Sequence, residues 1–323
     1  MSAERLKARV RTLRYEATRI VSVELVPTGN TTFPSFTAGA HIDLHLPNGI
    51  VRSYSLVNAQ TEVDRYVIAV LDEPDSRGGS RYIHELLRCG AQIEIGSPRN
   101  QFALDESATS SVLIAGGIGI TAILCMARRL RALRRDVRVA YAARSRVDAA
   151  FVDDLKLLGI EVELHFSDEH HGRRFDMDAW LATQPDGTHA YCCGPKSMID
   201  AFELACERAS IRDVHLERFH PVEGAVAAST ETYVVELARS GRTIEVAPGA
   251  SLLDTLLKEG VDIDYSCREG ICGACEVRVV AGQPVHRDSI LNAAQREANE
   301  VMYMCVSHGT CSSRRNERLV LDL

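Results

Sequence analysis

The chain of 323 residues is long enough for two or three domains with their own hydrophobic cores, and 46% hydrophobic with 25% charged residues is typical of a globular protein in water. Its net charge of -7 argues against a nucleic-acid partner, because such proteins usually carry a basic surface. No apolar run approaches the roughly 20 residues of a membrane-spanning helix, and the opening MSAERLKARVRTLR lacks the apolar core of a signal peptide.

Ten cysteines are spread along the chain, several of them inside apolar runs. A small secreted scaffold stapled by disulfides is much shorter than this chain. Without a secretory signal, the sequence favours a reducing cytoplasm in which the thiols are free or bound to metal, and it predicts neither a membrane nor a nucleic-acid partner.

The residues up to 106 alternate between apolar and polar side chains in short runs separated by Gly, Pro and Asn, which is typical of strands. These runs are RIVSVELVP, HIDLHLP, RSYSLV, RYVIAVL and AQIEIGSP, and the basic N-terminal stretch is read as a solvated first strand. A single helix, RYIHELLRCG, follows Gly78-Gly-Ser80 and ends at Gly90. Several short strands with one helix predict an antiparallel β-barrel domain over 1–106.

Between residues 107 and 222 the pattern alternates between buried strands, such as SVLIAGG and HAYCCG, and amphipathic helices, such as TAILCMARRLRALR. This alternation predicts an α/β domain with a parallel sheet. Residues 223–231 are small and unpatterned, which is typical of a linker. The third domain, 232–323, begins with a hairpin that turns at Ser240-Gly241, followed by the helix SLLDTLLKEG, which Ser251 would cap.

Three cysteines crowd into the stretch CREGICGAC, at Cys267, Cys272 and Cys275, and Cys305 follows later in the chain. The spacing C-x4-C-x2-C…C is that of a plant-type [2Fe–2S] cluster, in which four thiolates hold two irons. Small residues inside the loop let backbone N–H groups come close to the sulfur atoms. The sequence therefore predicts these four cysteines as metal ligands.

Two alternatives apply to this cysteine set. A zinc site would need two separated ligand pairs, and Cys305 with His308 would make a strained second pair. Cys311 is a rival fourth ligand, but it lies among Ser and Arg, whereas Cys305 lies in the apolar run VMYMCVS. Hairpin, helix, cysteine loop and late cysteine come in the order of plant-type ferredoxins, and the third domain resembles that α+β, β-grasp family.

In the first domain, Arg52-Ser-Tyr-Ser-Leu56 ends a strand, and Ser76-Arg-Gly-Gly-Ser80 opens a helix. Either stretch alone is an ordinary strand end or turn. Followed by an α/β domain, they resemble the flavin motifs of the ferredoxin–NADP reductase superfamily. The resemblance implies that Tyr54 packs against the isoalloxazine, that Ser55 bonds near its N5, and that Arg52 pairs with phosphate, for which its planar fork is suited.

The compact SRGGS loop resembles the FMN-containing branch related to phthalate dioxygenase reductase, because FAD-binding relatives need more surface for the adenosine half. FMN is therefore the expected flavin. The resemblance implies that the flavin is held by residues of two strands and this loop: Arg52, Ser53, Tyr54, Ser55, Leu56, Ala69, Val70, Arg77, Gly78, Gly79 and Ser80.

In the second domain, Gly116-Gly-Ile-Gly-Ile-Thr121 lies between a buried strand and a helix. The loop is not the G-x-G-x-x-G fingerprint, but it is similar to the superfamily's GGxGxT loop, which the pyrophosphate of the pyridine nucleotide approaches. Cys193-Gly-Pro195 ends the strand HAYCCG, at the edge where parallel sheets bind ligands. By resemblance, Cys193 lies beside the nicotinamide and is catalytic together with Ser55. Cys192 should point to the opposite face as a small buried hydrophobe.

The choice between NADH and NADPH stays open on residues alone. Arg144 and Arg146 follow a strand and would suit a 2′-phosphate, a pyrophosphate or a ribose, whereas Asp168 would suit a ribose. Because phthalate-type relatives mostly use NADH, we expect NADH. The implied nucleotide-binding residues, with Phe219 as a flavin contact, are Gly116, Gly117, Gly119, Ile120, Thr121, Arg144, Asp168, Cys193, Gly194, Pro195 and Phe219.

The three domains, in this order, resemble the reductase components of phthalate dioxygenase and vanillate O-demethylase. That resemblance implies an oxidoreductase that passes electrons one at a time from NADH, through FMN and a [2Fe–2S] cluster, to a Rieske-type oxygenase, docked near Arg268, Glu269 and Ile271. One alternative is a reductase for a cytochrome or another soluble acceptor. Another is a non-catalytic iron–sulfur sensor or binding module, which would lack flavin and would not oxidise NADH.

Overall fold

The computed structural model describes residues 5–29, 31–74, 76–221, 229–310 and 318–323. The chain divides into two units, between Phe219 and His220. In the described part of the chain, no helix is both long and apolar enough to cross a membrane. Most of the predicted linker, 223–231, lies outside the described residues, so the three predicted boundaries between segments stay predictions.

Six strands with alternating burial begin the first unit: β1 Arg5–Ala17, β2 Ile20–Pro27, β3 His41–His45, β4 Val51–Ser55, β5 Tyr66–Leu71 and β6 Gln92–Gly96. Their order is β4-β3-β6-β1-β2-β5, and neighbouring strands are antiparallel. A bridge between Leu56 and Ile68 joins the two outer strands and closes the sheet. The predicted antiparallel barrel is confirmed.

The barrel helix, α1 Gly79–Glu85, differs from its prediction at both ends. It begins within the glycine pair rather than after it, because Gly78 takes a φ of 99° that only glycine adopts without strain. It ends before Gly90, since the N–H groups of Leu86 and Leu87 both bond to the carbonyl of Tyr82.

The α/β part of the first unit has a five-stranded parallel sheet in the order β11-β10-β7-β8-β9. Its strands are β7 Ser110–Gly116, β8 Asp136–Ala143, β9 Glu161–Phe166, β10 His189–Cys193 and β11 Val214–Glu217. A short 3-10 helix, Gly117–Gly119, precedes α2, and the helices are α2 Ile120–Ala132, α3 Val152–Leu157, α4 Met177–Leu181 and α5 Lys196–Arg208.

Helices cover both faces of this parallel sheet. Along β10, Cys193 belongs to the core that contains α2, whereas Cys192 belongs to the core that contains α4 and α5. The prediction that these adjacent cysteines face opposite sides is confirmed. The strand order reverses between β7 and β10, and ligands bind such sheets at the carboxyl edge beside the reversal.

Barrel and parallel sheet share one continuous core within the first unit. The thiol of Cys125, on α2, donates to the carbonyl of Asn58 at 3.2 Å, and Arg128 donates to the carbonyl of Val57 at the same distance. Because these bonds reach from the sheet's helix to the chain just after β4, they fix the end of β4 against the nucleotide-type sheet.

The second unit is a β-grasp sheet in the order β13-β12-β18-β14-β16, with β12 parallel to β18 and the other pairs antiparallel. Ser251 caps its first helix, as expected, by accepting from Asp254 N. The hairpin of β12 and β13 is also confirmed. The elements are β12 Tyr233–Leu237, β13 Arg242–Val246, α6 Leu252–Lys258, β14 Glu276–Ala281, β15 Pro284–Val285, α7 Ala293–Ala298, β16 Val301–Tyr303, β17 His308–Gly309 and β18 Leu319–Leu321.

Candidate functional site

Three strand ends of the first unit meet at a half-buried carboxyl, Glu217 at the end of β11. The thiol of Cys193, at the end of β10, donates to Glu217 Oε2 at 4.0 Å. The hydroxyl of Ser55, at the end of β4, also hydrogen-bonds this carboxyl. Parallel strands bring Cys193 and Glu217 to the same edge, in register as Cα partners. The geometry thus joins the two residues predicted to be catalytic through a third.

Burial keeps this group of side chains uncharged near neutral pH. Desolvation raises the pKa of Glu217 to about 8, against a smaller lowering by the hydrogen bond from Ser55. Burial, and then the neighbouring Glu217, raise the pKa of the Cys193 thiol well above its ordinary value. A neutral carboxyl can donate as well as accept, so the three side chains form a polar chain without net charge.

Glu217 is not among the site residues predicted from the sequence. The sequence feature that could have revealed it is a charged residue, in HLERF, at the carboxyl end of a strand of a parallel sheet. Burying a carboxyl there costs free energy, and that cost is expected to be offset by function or by pairing. Phe219, two residues later, packs half-buried against the core of the same unit.

Glycines let the two predicted nucleotide motifs touch. A Cβ on Gly119 would lie 2.1 Å from the carbonyl oxygen of Cys193, and one on Gly116 would lie 2.5 Å from the sulfur of Met198. A Cβ on Gly194 would lie 2.7 Å from that same sulfur. Because backbone cannot move aside, only glycine at position 119 allows the loop after β7 to pack on the end of β10.

The remaining residues after β7 are buried, make hydrogen bonds within the fold or allow its turns. Ile120 and Thr121 are buried in the first turn of α2, and the hydroxyl of Thr121 donates to the carbonyl of Ile118 at 3.0 Å. Gly117 has a φ of 53° and open space around it. Pro195 stands just before α5, and its ring faces Gly116.

Arg52 and the SRGGS loop lie together, as the predicted phosphate site requires. A Cβ on Gly79 would come within 2.7 Å of Cγ of Arg52, so the arginine stem lies across the glycine pair. The hydroxyl oxygen of Ser80 accepts from Glu73 N at 3.3 Å, which leaves the hydroxyl proton for an anion. Arg77 precedes the pair on the same loop. This donor set, one guanidinium with backbone N–H groups and a hydroxyl, fits the phosphate of a flavin nucleotide.

Some of the other predicted flavin residues have side-chain atoms exposed at the surface of the barrel, and others are buried. Tyr54 is half-buried on β4, and burial raises the pKa of its phenol. The hydroxyl of Ser53 donates to Asp43 at 2.6 Å, and Arg99 pairs with that carboxylate at 2.7 Å. A buried aliphatic side chain cannot reach a ring outside the core, so three predicted residues offer backbone atoms alone: Leu56, Ala69 and Val70.

The two arginines predicted to bind the nucleotide near the carboxyl ends of β8 and β9 differ in their partners. Arg146 pairs with Glu169, with Nη2 to Oε2 at 2.9 Å, and its guanidinium lies 4.6 Å from the ring centroid of Phe166. In the described part of the chain, the guanidinium of Arg144 makes no hydrogen bond or ion pair. Asp168 is exposed, and its N–H donates to the carbonyl of Arg144 at 3.0 Å.

In the second unit, the four predicted cluster cysteines form two contacting pairs, Cys267 with Cys272 and Cys275 with Cys305. Hydrogen bonding from Cys272, then from backbone N–H groups, lowers the pKa of Cys267 to about 7, and the hydrogen bond with Cys305 lowers that of Cys275. That same bond raises the pKa of Cys305, so within this pair Cys275 is the thiol that ionises readily, as a metal ligand must.

Backbone donors surround the sulfur atoms of this loop. Glu269 N donates to Cys267 Sγ at 3.3 Å, Cys267 N donates to Cys272 Sγ at 3.4 Å, and Gly270 N hydrogen-bonds Cys305. Within the described residues, no group of three or more His, Cys, Asp or Glu suits a single metal ion. Two pairs of thiols with N–H donors fit a [2Fe–2S] cluster better than zinc. The rival ligand, Cys311, lies outside the described residues.

Comparison with known proteins agrees with this division. Residues 235–311 match the family described as 2Fe-2S iron-sulfur cluster binding domain, and residues 92–216 match that described as dimethylamine monooxygenase subunit DmmA-like, N-terminal domain. The chain is 46% identical over 316 residues to the phenoxybenzoate dioxygenase subunit beta of Ectopseudomonas oleovorans, across 98% of this chain and 96% of that one.

Several solved structures match nearly the whole chain. Phthalate dioxygenase reductase, described as a modular structure for electron transfer from pyridine nucleotides to [2Fe–2S], is 33% identical, with a TM-score of 0.71 over 99% of this chain and 98% of that one. An intact type IV self-sufficient cytochrome P450 monooxygenase is 36% identical, with a TM-score of 0.88. The match covers 99% of this chain and 41% of the monooxygenase chain.

Proposed function

This chain belongs to the phthalate dioxygenase reductase family of flavin and iron–sulfur oxidoreductases, and we propose that it supplies electrons from NADH to a Rieske-type oxygenase or O-demethylase. The observation that carries the proposal is the hydrogen-bonded group of Ser55, Cys193 and Glu217. It joins the end of a flavin-type strand to the end of a nucleotide-type strand, in a chain that also holds four paired thiols.

The flavin in this proposal is FMN. Support comes from the short SRGGS loop and from Arg52, which lies across it and supplies a cation for a single phosphate. When bound, the flavin accepts a hydride from NADH and releases the two electrons singly, which matches a one-electron cluster to a two-electron donor.

The chain's own residues orient the reactants. Gly116 and Gly119 keep side chains away from the carboxyl edge of the sheet, where the pyrophosphate would lie against bare backbone. Cys193 is buried and neutral, so it would stand beside a bound nicotinamide without placing a charge there. Ser55, which is buried, and Glu217, which is half-buried, hold a proton between the flavin-type and nucleotide-type strands.

Delivery of electrons requires a surface near the cluster loop. Arg268 and Tyr265 lie there, with the guanidinium 4.6 Å from the ring centroid and ion-paired to Asp254 at 3.0 Å. Tyr265 is 46% exposed, which makes this rim available to a partner. We propose that Arg268, Glu269 and Ile271 contact the oxygenase in a small, transient complex, as redox partners commonly do.

A cytochrome is the second candidate acceptor. The observation that favours it is the P450 monooxygenase, in which a segment similar to this whole chain belongs to a longer polypeptide. A chain described as a self-sufficient cytochrome P450 monooxygenase thus contains a segment like this one, which supports a cytochrome as an alternative acceptor. The identity of the acceptor therefore has to be tested directly.

The proposal is tested on the purified holoprotein. Its flavin is released and identified as FMN or FAD, and its absorption is followed while NADH is added without oxygen. Both the flavin and the iron–sulfur bands should bleach. The reduced protein is then mixed with a Rieske oxygenase, a P450 or cytochrome c, and reoxidation is timed. A chain without flavin, or one that NADH does not bleach, would be a binding module or sensor instead. If the P450 reoxidised the protein faster, a P450 would replace the Rieske oxygenase as the proposed acceptor.

A further inference from the structure

A methionine sulfur lies between two glycines at the carboxyl edge of the parallel sheet. Met198 stands in the first turn of α5, which begins just after Pro195. A Cβ on Gly116 would lie 2.5 Å from Sδ of Met198, and one on Gly194 would lie 2.7 Å from the same atom. Glycine at both positions therefore leaves the space that this sulfur fills, between the end of β7 and the loop after β10.

Met198 differs in exposure from the other methionines in the part of the chain that the structure describes. It is half-buried, and Pro195, Lys196 and Ser197 beside it are exposed. The other described methionines are buried: Met126, Met177, Met302 and Met304. An oxidant dissolved in water therefore reaches the side chain of Met198 before it reaches theirs.

Cys193 carries a second sulfur at this edge, and burial protects it from oxidation. A Cβ on Gly119 would lie 3.1 Å from its Sγ, and the residue is 0% exposed. Thiols react as thiolates, and burial, followed by the neighbouring Glu217, raises the pKa of this thiol well above its ordinary value. A thioether has no proton to lose, so the reactivity of Met198 needs no ionisation.

Oxidation would change both the size and the polarity of the Met198 side chain. A sulfoxide carries one added oxygen with a partial negative charge in place of an apolar thioether. Against Gly116 or Gly194, this oxygen would meet backbone, which cannot rotate away, and would push the two glycine loops apart. Toward the open carboxyl edge, its negative charge would oppose the phosphates of a bound nucleotide. Both orientations weaken nucleotide binding.

We propose that Met198 is an oxidation site through which hydrogen peroxide lowers the affinity of the protein for NADH. This inference rests on the proposed function, in that NADH binds at the glycine loops. The sulfur attacks one peroxide oxygen, the O–O bond breaks and an S–O bond forms. The departing hydroxide takes the proton of the transferred oxygen and leaves as water. The sulfur is thus oxidised by two electrons and the peroxide is reduced by two.

The oxidant is a product of the chemistry that flavins carry out with oxygen. A reduced flavin that meets molecular oxygen instead of its electron acceptor is one source of hydrogen peroxide. The modification is reversible, because methionine sulfoxide reductases return the sulfoxide to the thioether. Met198 therefore suits a reversible site at which peroxide limits the entry of further NADH.

The test uses the full-length holoprotein, treated with increasing hydrogen peroxide that catalase then removes. Mass spectrometry of its peptides measures the added oxygen on each methionine. Fluorescence titration with NADH, on protein that has been chemically reduced without oxygen, measures affinity in the absence of hydride transfer. Met198 should be oxidised before the buried methionines, and the Kd for NADH should rise about 10-fold with its conversion, as one overpacked contact predicts. Methionine sulfoxide reductases A and B together should restore the affinity.

One variant and a matched control assign the effect to a single sulfur. Leucine fills a similar volume without a sulfur, so peroxide should leave the affinity of Met198→Leu at its starting value, whatever that value is. Met177→Leu replaces a buried methionine of α4 and should lose affinity on peroxide treatment as the unchanged protein does. An equal loss in Met198→Leu would assign the effect to another group and refute the proposal.

The unchanged protein decides the proposal without any variant. Saturating NAD+ should slow the oxidation of Met198, because the bound nucleotide covers the glycine loops. Equal oxidation with and without NAD+, or no oxidation of Met198 by peroxide, would refute the proposal. Absence of NADH binding before peroxide is added would refute the proposed function as well, whereas full conversion of Met198 with an unchanged Kd would refute this proposal alone.

Discussion

Glu217 accepts a hydrogen bond from the Cys193 thiol at 4.0 Å, although the two residues lie on different strands of the parallel sheet. The same carboxyl bonds Ser55 of the barrel. One side chain therefore connects the strand predicted to contact the flavin with the strand predicted to contact the nicotinamide. Its removal should affect hydride transfer before any later step.

We expect Glu217→Gln to slow flavin bleaching by NADH about 10-fold, which is a loss of about 1.4 kcal/mol in transition-state stabilisation. The amide keeps the shape but changes the donors available to Ser55 and Cys193. Stopped-flow absorbance measures the rate. Glu203→Gln is the control, because its carboxylate pairs with Arg218 at 3.0 Å and is 43% exposed. Equal rates in Glu217→Gln and the unchanged protein would exclude a role for this carboxyl.

The raised pKa of Glu217 predicts a pH-dependent stability. Because its folded-state pKa is about 8 and its ordinary value is 4.5, the folded state holds this proton more tightly than the unfolded chain. Its contribution to the free energy of unfolding is complete below about 4.5 and is lost as the pH rises to about 8. Urea unfolding should show Glu217→Gln gaining stability relative to the unchanged protein over that range, and parallel pH curves would contradict this.

Local patterns predicted most of the fold because the apolar period of a strand or helix can be recognised within a few neighbouring residues. The barrel, the parallel sheet and the Ser251 cap depend on such short-range signals. The sequence predicts no separate strands after β14, because β15, β16, β17 and β18 are only two or three residues long. They are held by hydrogen-bond partners far along the chain. Strands of that length leave no period to detect.

The site was predictable where a motif is contiguous and was not where it is assembled in space. CREGICGAC and GGIGIT are each contiguous in the sequence, so their spacing already restricts their chemistry. Glu217 matters because β11 aligns it with Cys193 and the barrel presents Ser55 to it, and no spacing in the sequence encodes that meeting.

Replacement of Cys305 by Ser should remove the iron–sulfur signal while NADH still bleaches the flavin. Cys305 is one of a contacting pair with Cys275, and an alcohol is a poor substitute for a thiolate ligand. Visible absorption and electron paramagnetic resonance measure the cluster. Cys89→Ser is the control, because Cys89 is an exposed free thiol in the first unit. Loss of the cluster in Cys311→Ser, with Cys305→Ser unaffected, would assign the fourth ligand to Cys311.

Gly119→Ala should separate the two nucleotide motifs. The added Cβ would meet the carbonyl oxygen of Cys193, which is backbone and cannot rotate away. Forced repacking of this kind costs about 1–3 kcal/mol, so both the midpoint of urea unfolding and the affinity for NADH should fall. Gly117→Ala is the matched control. Nothing lies within 4 Å of a Cβ at that position, so this substitution adds only the backbone strain of a side chain at a positive φ, without a steric clash. An equal loss of NADH affinity in both variants would refute the contact argument.

Selectivity for NADH should depend on the ion pair of Arg146 with Glu169. A 2′-phosphate needs an available cation, and Glu169 now occupies the fork of Arg146. Glu169→Gln releases that guanidinium and removes a negative charge, so kcat/KM for NADPH should rise about 10-fold, equivalent to about 1.4 kcal/mol, while that for NADH changes little. Steady-state rates with both nucleotides measure the ratio. Glu163→Gln, on the exposed surface of β9, the strand that precedes Glu169, controls for net charge. If it shifts the ratio equally, the effect is long-range charge and not the freed fork, and the pair does not select the nucleotide.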